Sequence, residues 1–109
     1  MFDFDGFLSE TLNELKDFIK KHWKDYKKDI VNETEEVLNE SKEDIQRWVG
    51  LVAKGELSRD ELEFLLQSKK ELIKLKGLEQ AGLSLIKIER LRDAIVCLVV
   101  ENALEKIQL

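Results

Sequence analysis

Histidine and cysteine, two residue types often used in metal binding and nucleophilic chemistry, each occur once in the chain, as His22 and Cys97. In the Glu-x-x-His motif of metal-binding bundles, the second ligand stands one helical turn, three or four positions, before the histidine. Phe18 and Ile19 occupy those positions, so His22 is expected to lie at the solvated edge of a core. Cys97 stands in an apolar run, where a thiol is expected to be buried and unreactive.

The remaining residues do not complete a catalytic arrangement. The sequence contains neither a glycine-rich phosphate loop nor a set of serine, cysteine and histidine at the spacing of a known catalytic motif. The carboxylates needed for acid–base chemistry are interspersed with lysines, which is typical of solvated helix surfaces. We therefore expect a protein that is not an enzyme and that requires no metal or cofactor.

Composition limits the class of protein to which the chain can belong. The 109 residues predict a single domain, 1–109. The chain is 38% charged and 43% apolar and contains no proline, which is typical of long helices. The net charge of −5 argues against broad binding of nucleic acid. The single cysteine, together with an acidic N-terminus unlike a signal peptide and no long apolar segment, predicts a cytoplasmic protein.

Apolar residues in the first half recur in steps of four, three and four. This 11-residue repeat corresponds to 3.67 residues per turn, so the apolar positions stay on one face of a nearly straight helix. We predict a non-helical segment over 1–7 and one helix over about 8–54, roughly 70 Å long. The stripe consists of Leu8, Leu12, Leu15, Ile19, Trp23, Tyr26, Ile30, Thr34, Val37, Ser41, Ile45, Trp48 and Val52.

The segment KGELSRDEL predicts a turn over 55–58. Gly55 suits a left-handed helix end, and Ser58 with Glu61 forms a capping box for a second helix over 59–107. We expect the second helix to run back along the first with the same spacing of apolar residues. Each apolar residue of the second helix then lies beside one of the first helix, and the two residue numbers add up to about 114. This register matches Ile19 with Ile95, and it places the acidic positions 36–44 beside lysines at 69–76. The sequence therefore predicts a long antiparallel helical hairpin.

The second helix has a weak region at 77–84, because Gly77 and Gly82 each cost about 1 kcal/mol relative to alanine inside a helix. In the first interpretation the helix continues, and its small residues allow close approach of the first helix. In the alternative, the helix breaks and Ser84 caps a new one, with Leu83 and Ile88 in contact across the cap. The break would give a three- or four-helix monomeric bundle.

Seven consecutive apolar residues, Ala94 to Val100, make the last helix apolar over most of its circumference. One partner helix covers only one face, so we expect a second copy of the chain to cover the rest. Two hairpins would then form a four-helix bundle as a homodimer. The predicted interface comprises Leu85, Val96, Val100, Ala103 and Ile107. A monomeric bundle that breaks at 77–84 would instead bury the run in its own core.

Two further segments could bind a partner. Lys16, Lys20, Lys24 and Lys27 share one helical face; this is either a solvated flank or a surface for an acidic protein, anionic lipid or nucleic acid. Phe2 and Phe4 precede the predicted helix and either shield the end of the core or dock on another protein. In the second interpretation of each segment, its side chains would contact another molecule.

Two classes of function follow from these patterns. The first is a non-enzymatic, homo-oligomeric helical-bundle protein with a structural or adaptor role, which binds itself and another protein. The second is an amphipathic-helix protein that binds lipid or another apolar surface. The apolar arc of the last helix is wider than that of the usual interfacial helix, which favours the first class.

Overall fold

Helices account for all the regular secondary structure in the part of the chain that the structure describes. The structure is a computed structural model that describes residues 2–22, 27–69, 78–79 and 82–107, without the side chains of His22 and Lys27. The five principal helices are α1 (Phe4–His22), α2 (Lys27–Glu40), α3 (Lys42–Ala53), α4 (Arg59–Gln67) and α5 (Leu85–Ile107). The prediction of an all-helical protein is confirmed.

Helix α1 begins at Phe4, so the prediction of a non-helical segment over 1–7 is wrong. Asp3 caps the helix: its Oδ1 accepts a hydrogen bond of 3.1 Å from the Gly6 amide, and its carbonyl accepts one of 3.0 Å from Phe7. Aspartate at this position satisfies amide groups that would otherwise have no partner. A Cβ atom at position 6 would collide with the Asp3 carboxylate, so Gly6 leaves room for the cap.

The single helix predicted over 8–54 is also wrong, since α1, α2 and α3 occupy this range. The whole molecule measures 41 Å along its longest axis, shorter than the roughly 70 Å of one such helix. Between α2 and α3 the backbone bends at Ser41, with φ −94° and ψ 4°. The hydrogen bonds from Ser41 to Val37 and from Ile45 to Ser41 continue through the bend. Shorter helices that fold back bury the apolar stripe on several sides, an advantage that local periodicity does not reveal.

The sequence predicts correctly which residues of the apolar stripe face the core, although it does not predict that the stripe is divided among three helices. The described members that the structure buries are Leu12, Leu15, Ile19, Ile30, Thr34, Val37, Ser41 and Ile45, and Leu8, Trp48 and Val52 are half-buried. Trp23 and Tyr26 lie outside the described residues. The period of the pattern therefore identifies the inward face of three successive helices.

The predicted turn is confirmed. Gly55 adopts φ +77°, and its amide donates to the Val52 carbonyl at 3.0 Å. At the start of α4 the Ser58 hydroxyl accepts from the Glu61 amide, and the Glu61 carboxylate accepts from the Ser58 amide, both at 3.1 Å. Leu62, in the first turn of α4, is fully buried. Turn chemistry and capping residues thus place this connection correctly from sequence.

The continuous second helix over 59–107 is wrong. Helix α4 ends at Gln67, earlier than either interpretation placed an end, and the chain is again non-helical at 82–84, within the range of the alternative break. Gly82 adopts φ +105°, a left-handed conformation that glycine alone adopts without strain. The Ser84 hydroxyl accepts a hydrogen bond of 3.3 Å from the Lys87 amide and caps α5. Leu83 and Ile88 are both buried beside this cap. Gly77 lies outside the described residues.

Helices α1 and α5 run antiparallel and close to the predicted register. The Glu14 carboxylate bonds the Asn102 amide, and the Glu10 carboxylate bonds the Lys106 ammonium. In both pairs the residue numbers add up to 116, against the 114 expected from apolar matching. Helix α5 also packs against α3 and α4, and α1 packs against α2. The apolar run therefore has neighbours on several sides within one chain.

Candidate functional site

Most of the predicted oligomer interface lies inside the chain. Val96, Val100 and Ala103 are each 1% exposed, so a second copy could not reach them in this conformation. The prediction that these three face another subunit is wrong, because the break near Gly82 lets α5 pack among the other helices of its own chain. Of the remaining two, Leu85 is 65% exposed and Ile107 is half-buried.

A polar seam joins α1 to α5. Asn102, only 1% exposed, donates a hydrogen bond of 3.0 Å to Glu14 and another of 2.8 Å to the Leu98 carbonyl. One turn further, Lys106 pairs with Glu10 at 3.0 Å. The hydrogen bond to Glu10 raises the pKa of Lys106 above its ordinary value. This seam fixes the register of the two helices.

Asn102 was not among the site residues predicted from sequence. The available signal was its position, because it continues the inward-facing series Leu91, Ile95 and Val99, where a polar side chain needs a hydrogen-bond partner.

A second polar seam lies where α3 meets the end of α4. Asp44 pairs with Lys69 and, at 2.9 Å, with Arg47. The Lys69 ammonium also lies 6.0 Å from the centre of the Trp48 ring. The hydrogen bond from Lys69 is the main reason that the pKa of Asp44 lies below its ordinary value. The predicted pairing of acidic positions with lysines is thus present at Asp44 and Lys69; the lysines at 70–76 lie outside the described residues.

The two predicted partner-binding segments divide between interior and surface. Phe4 is buried, which agrees with the first alternative, shielding the end of the core, and not with docking on another protein. Phe2 is half-buried, and its ring centre lies 5.3 Å from that of Phe7. The N-terminal aromatic residues therefore shield the end of the core. Lys16 and Lys20 are exposed, whereas Lys24 and the side chain of Lys27 lie outside the described residues.

A cleft of about 380 Å³ opens where the C-terminal ends of α3 and α5 meet Phe2. It is lined by Phe2, Val49, Gly50, Ala53, Lys54, Lys106 and Ile107. The lining combines four apolar side chains with the ammonium-bearing side chains of Lys54 and Lys106. Gly50 lies in the interior of α3 and was not predicted from sequence as a site residue. The available signal was a glycine inside a helical pattern, which costs stability unless the position has a packing or functional role.

Three large apolar side chains remain on the surface of the described residues. Leu85 and Ile86 begin α5 and are 65% and 67% exposed, and Phe64 on α4 is 68% exposed. Phe64 borders a second cleft, of about 330 Å³, with Leu57 and Leu65. Phe64 and Ile86 were not singled out from sequence, because they lie off the inward-facing positions of their helices. These side chains are the apolar surface that a partner could cover.

Of the two residues His22 and Cys97, the structure describes the side chain of Cys97 alone. Cys97 is exposed, so its predicted burial is wrong. Desolvation and the Glu101 carboxylate, 3.6 Å from the sulfur, raise the pKa of the Cys97 thiol, which disfavours the nucleophilic thiolate. Within the described ranges, no group of three or more histidine, cysteine, aspartate or glutamate side chains is placed to hold a metal ion.

Another cleft, of about 300 Å³, lies between α1, α4 and α5. Its lining is mainly charged and comprises Glu14, Arg59, Glu101, Asn102, Leu104 and Glu105. It contains the Asn102–Glu14 bond and belongs to the α1–α5 seam.

None of the helices in the described residues combines the length and apolar character needed to cross a membrane. Comparison with known proteins gave no match to a family model, to a curated protein or to a solved structure. The geometry of the chain itself is therefore the basis for proposing a function.

Proposed function

We propose that the protein is a non-enzymatic helical-bundle protein of the cytoplasm that acts through protein–protein contacts in a structural or adaptor role. We further propose that it self-associates, with a homodimer as the simplest closed assembly. The observation that carries the proposal is the adjacent pair Leu85 and Ile86. Both side chains are about two-thirds exposed, whereas the other large apolar side chains of α5 are buried or half-buried.

The arrangement of the helices supports a bundle formed by one chain. Helices α1 and α5 are antiparallel. The pair of Asp44, near the start of α3, with Lys69, just after α4, indicates that α3 and α4 are antiparallel across the turn at Gly55. The 27 residues of α2 and α3, Ser41 included, would measure about 40 Å as one bent rod, close to the 41 Å longest dimension of the molecule. We take α1, the α2–α3 rod, α4 and α5 as the four rods of this bundle.

Self-association is supported by the energetic cost of leaving Leu85 and Ile86 in water. Covering both would contribute on the order of 2–4 kcal/mol. That is less than the entropy cost of association, so polar contacts around the pair must add to it. We therefore expect a weak dimer that depends on protein concentration. The buried run Ala94–Val100 plays no part in this assembly.

The alternative function, in which the helices open onto lipid, has less support. Its basis was the wide apolar arc of the last helix, and the Val96 and Val100 side chains of that arc are buried in the chain. Opening the protein would expose this core to water before any lipid covered it. Flotation with anionic liposomes at low and physiological salt separates the two functions, because only the alternative predicts robust binding at both.

Sedimentation velocity over a series of protein concentrations tests self-association. The wild-type chain should shift from monomer to dimer as its concentration rises, and Leu85→Glu or Ile86→Glu should remain monomeric with unchanged helix content. Gln46→Glu, which adds the same charge at an exposed position of α3, is the matched control and should dimerise like the wild type. A wild-type chain that stays monomeric at every concentration would refute self-association.

A further inference from the structure

Gly50 occupies a helical position where neither backbone conformation nor packing requires glycine. It lies within α3 and is not among the glycines with positive φ. A Cβ atom built at this position would find none of the described heavy atoms within 4 Å beyond its immediate surroundings in the helix. Glycine inside a helix costs about 1 kcal/mol relative to alanine. What the glycine does provide is open space, because it lines the cleft of about 380 Å³ beside Phe2.

The side chains around this space combine apolar and cationic character. Among the residues that line the cleft, Val49 is 1% exposed, and Phe2 and Ile107 are half-buried. Lys54 lines the cleft and forms no ion pair with any described residue. The second ammonium group, on Lys106, is already paired with Glu10. An apolar ligand with one negative charge would match this lining, with Lys54 as the partner of the charge.

We propose that this cleft is a binding site for a small amphipathic carboxylate, of the class of medium-chain fatty acids, whose alkyl chain lies against Gly50 and whose carboxylate meets Lys54. The volume favours a small ligand, since it falls within the roughly 300–1,000 Å³ of small-molecule sites. A docked helix would need a longer groove that accepts side chains from successive turns. The site lies at the opposite end of α5 from Leu85, about 33 Å away along the helix, and does not depend on the proposed self-association.

The test is calorimetric titration of the full chain with octanoate, decanoate and dodecanoate below their micelle-forming concentrations. Affinity should rise about two- to fourfold for each added methylene while the cleft is being filled. Amide signals of Gly50, Ala53 and Ile107 should shift in nuclear magnetic resonance spectra of the same titration. The absence of saturable binding for all three acids would overturn the proposal.

Two variants with matched controls locate the ligand. Gly50→Leu places a large side chain in the cleft and should weaken decanoate binding at least tenfold. Gly50→Ala is the control for helix stability and should weaken decanoate binding less. Lys54→Met should weaken binding of decanoate about fivefold and leave that of decanol unchanged, and Lys28→Met on α2 should affect neither. Thermal denaturation confirms that each variant is folded.

Decanoate binding that survives Gly50→Leu in a folded protein would overturn the site. Equal effects of Lys54→Met on decanoate and decanol would overturn the assignment of the carboxylate. Self-association is read separately by sedimentation without ligand, so failure at the cleft and failure at Leu85–Ile86 are distinguishable.

Discussion

The side-chain amide of Asn102 donates a hydrogen bond of 3.0 Å to the carboxylate of Glu14, which joins two residues 88 positions apart. Asn102 is buried and Glu14 is exposed, so the bond connects the core of α5 to the outer edge of α1. Each amide hydrogen of Asn102 has an acceptor, because the same nitrogen also donates to the Leu98 carbonyl. A buried polar residue with these partners favours one register of the two helices over its neighbours.

Asn102→Asp should destabilise the protein near neutral pH by about 3 kcal/mol, because a buried carboxylate would face Glu14 and the Leu98 carbonyl without a donor. The pKa of the new carboxyl group would be raised in the folded state above its value in the unfolded chain. The folded variant would therefore bind its proton more readily, and its deficit in unfolding free energy should shrink as the pH falls toward 5. Urea denaturation of the variant and the wild type near pH 7 and pH 5 measures the difference in unfolding free energy at each pH.

Asn102→Leu is the control, since it removes the hydrogen bonds without adding a charge and should lose only about 1 kcal/mol. If the Asp and Leu variants lost equal stability at both pH values, the amide of Asn102 would not face acceptors.

Val100→Glu should destabilise a single chain by about 3–5 kcal/mol, because the position is 1% exposed within one molecule. Leu85→Glu adds the same charge at a position that is 65% exposed and should leave the unfolding free energy nearly unchanged. Circular dichroism during urea denaturation, at a concentration where the wild type is monomeric, gives both values. A Val100→Glu variant as stable as the Leu85→Glu variant would mean that the apolar run faces outward.

Alanine substitutions at two glycines should change stability in opposite directions. Gly82 adopts φ +105°, so Gly82→Ala should lower the unfolding free energy by about 1–2 kcal/mol. Gly50 lies in an ordinary helix with open space beside it, so Gly50→Ala should raise the unfolding free energy by up to about 1 kcal/mol. Thermal denaturation of the two variants provides the comparison. A stabilised Gly82→Ala variant would contradict the break before α5.

The Cys97 thiol should react slowly with iodoacetamide at neutral pH. Desolvation, and then the neighbouring Glu101 carboxylate, hold its pKa above the ordinary value, so the alkylation rate should rise only at a pH above that of an ordinary thiol. Glu101→Gln removes the negative charge and should move this rise to lower pH. Glu89→Gln on the same helix is the control and should leave the profile in place. Identical profiles for wild type and Glu101→Gln would show that Glu101 does not act on the sulfur.

Sequence periodicity identifies which side chains face inward, but it does not determine where a helix ends. Thr34 and Ser41 continue the apolar stripe and are buried as expected, yet the rod bends at Ser41 while its hydrogen bonds continue. The stripe keeps its phase because each helix presents the same face to the core. The free energy gained when the helices fold back on one another comes from contacts between distant segments, such as that of Glu14 with Asn102. A local sequence pattern does not contain information about such contacts.

Residues with specific backbone or polar roles differ in how far sequence reveals them. Gly55, Ser58 and Glu61 form a recognisable combination because their spacing follows from helix-end geometry. Gly82 and Gly50 are both glycines within helical patterns, and only the structure separates a left-handed turn from an open cleft. The exposure of Phe64 was missed because an apolar residue type alone does not indicate the surface.

The most direct test of the central claim, that one chain forms its own core, is urea denaturation of the double variant Leu85→Glu/Ile86→Glu. It should be performed over a roughly hundredfold range of protein concentration, because a core completed by a second copy makes stability depend on concentration. We predict a monomer of 12.7 kDa with the helix content of the wild type and an unfolding midpoint that is the same at every concentration. A variant that is unfolded, or whose midpoint rises with protein concentration, would contradict the claim and place the apolar run Ala94–Val100 at an interface between chains.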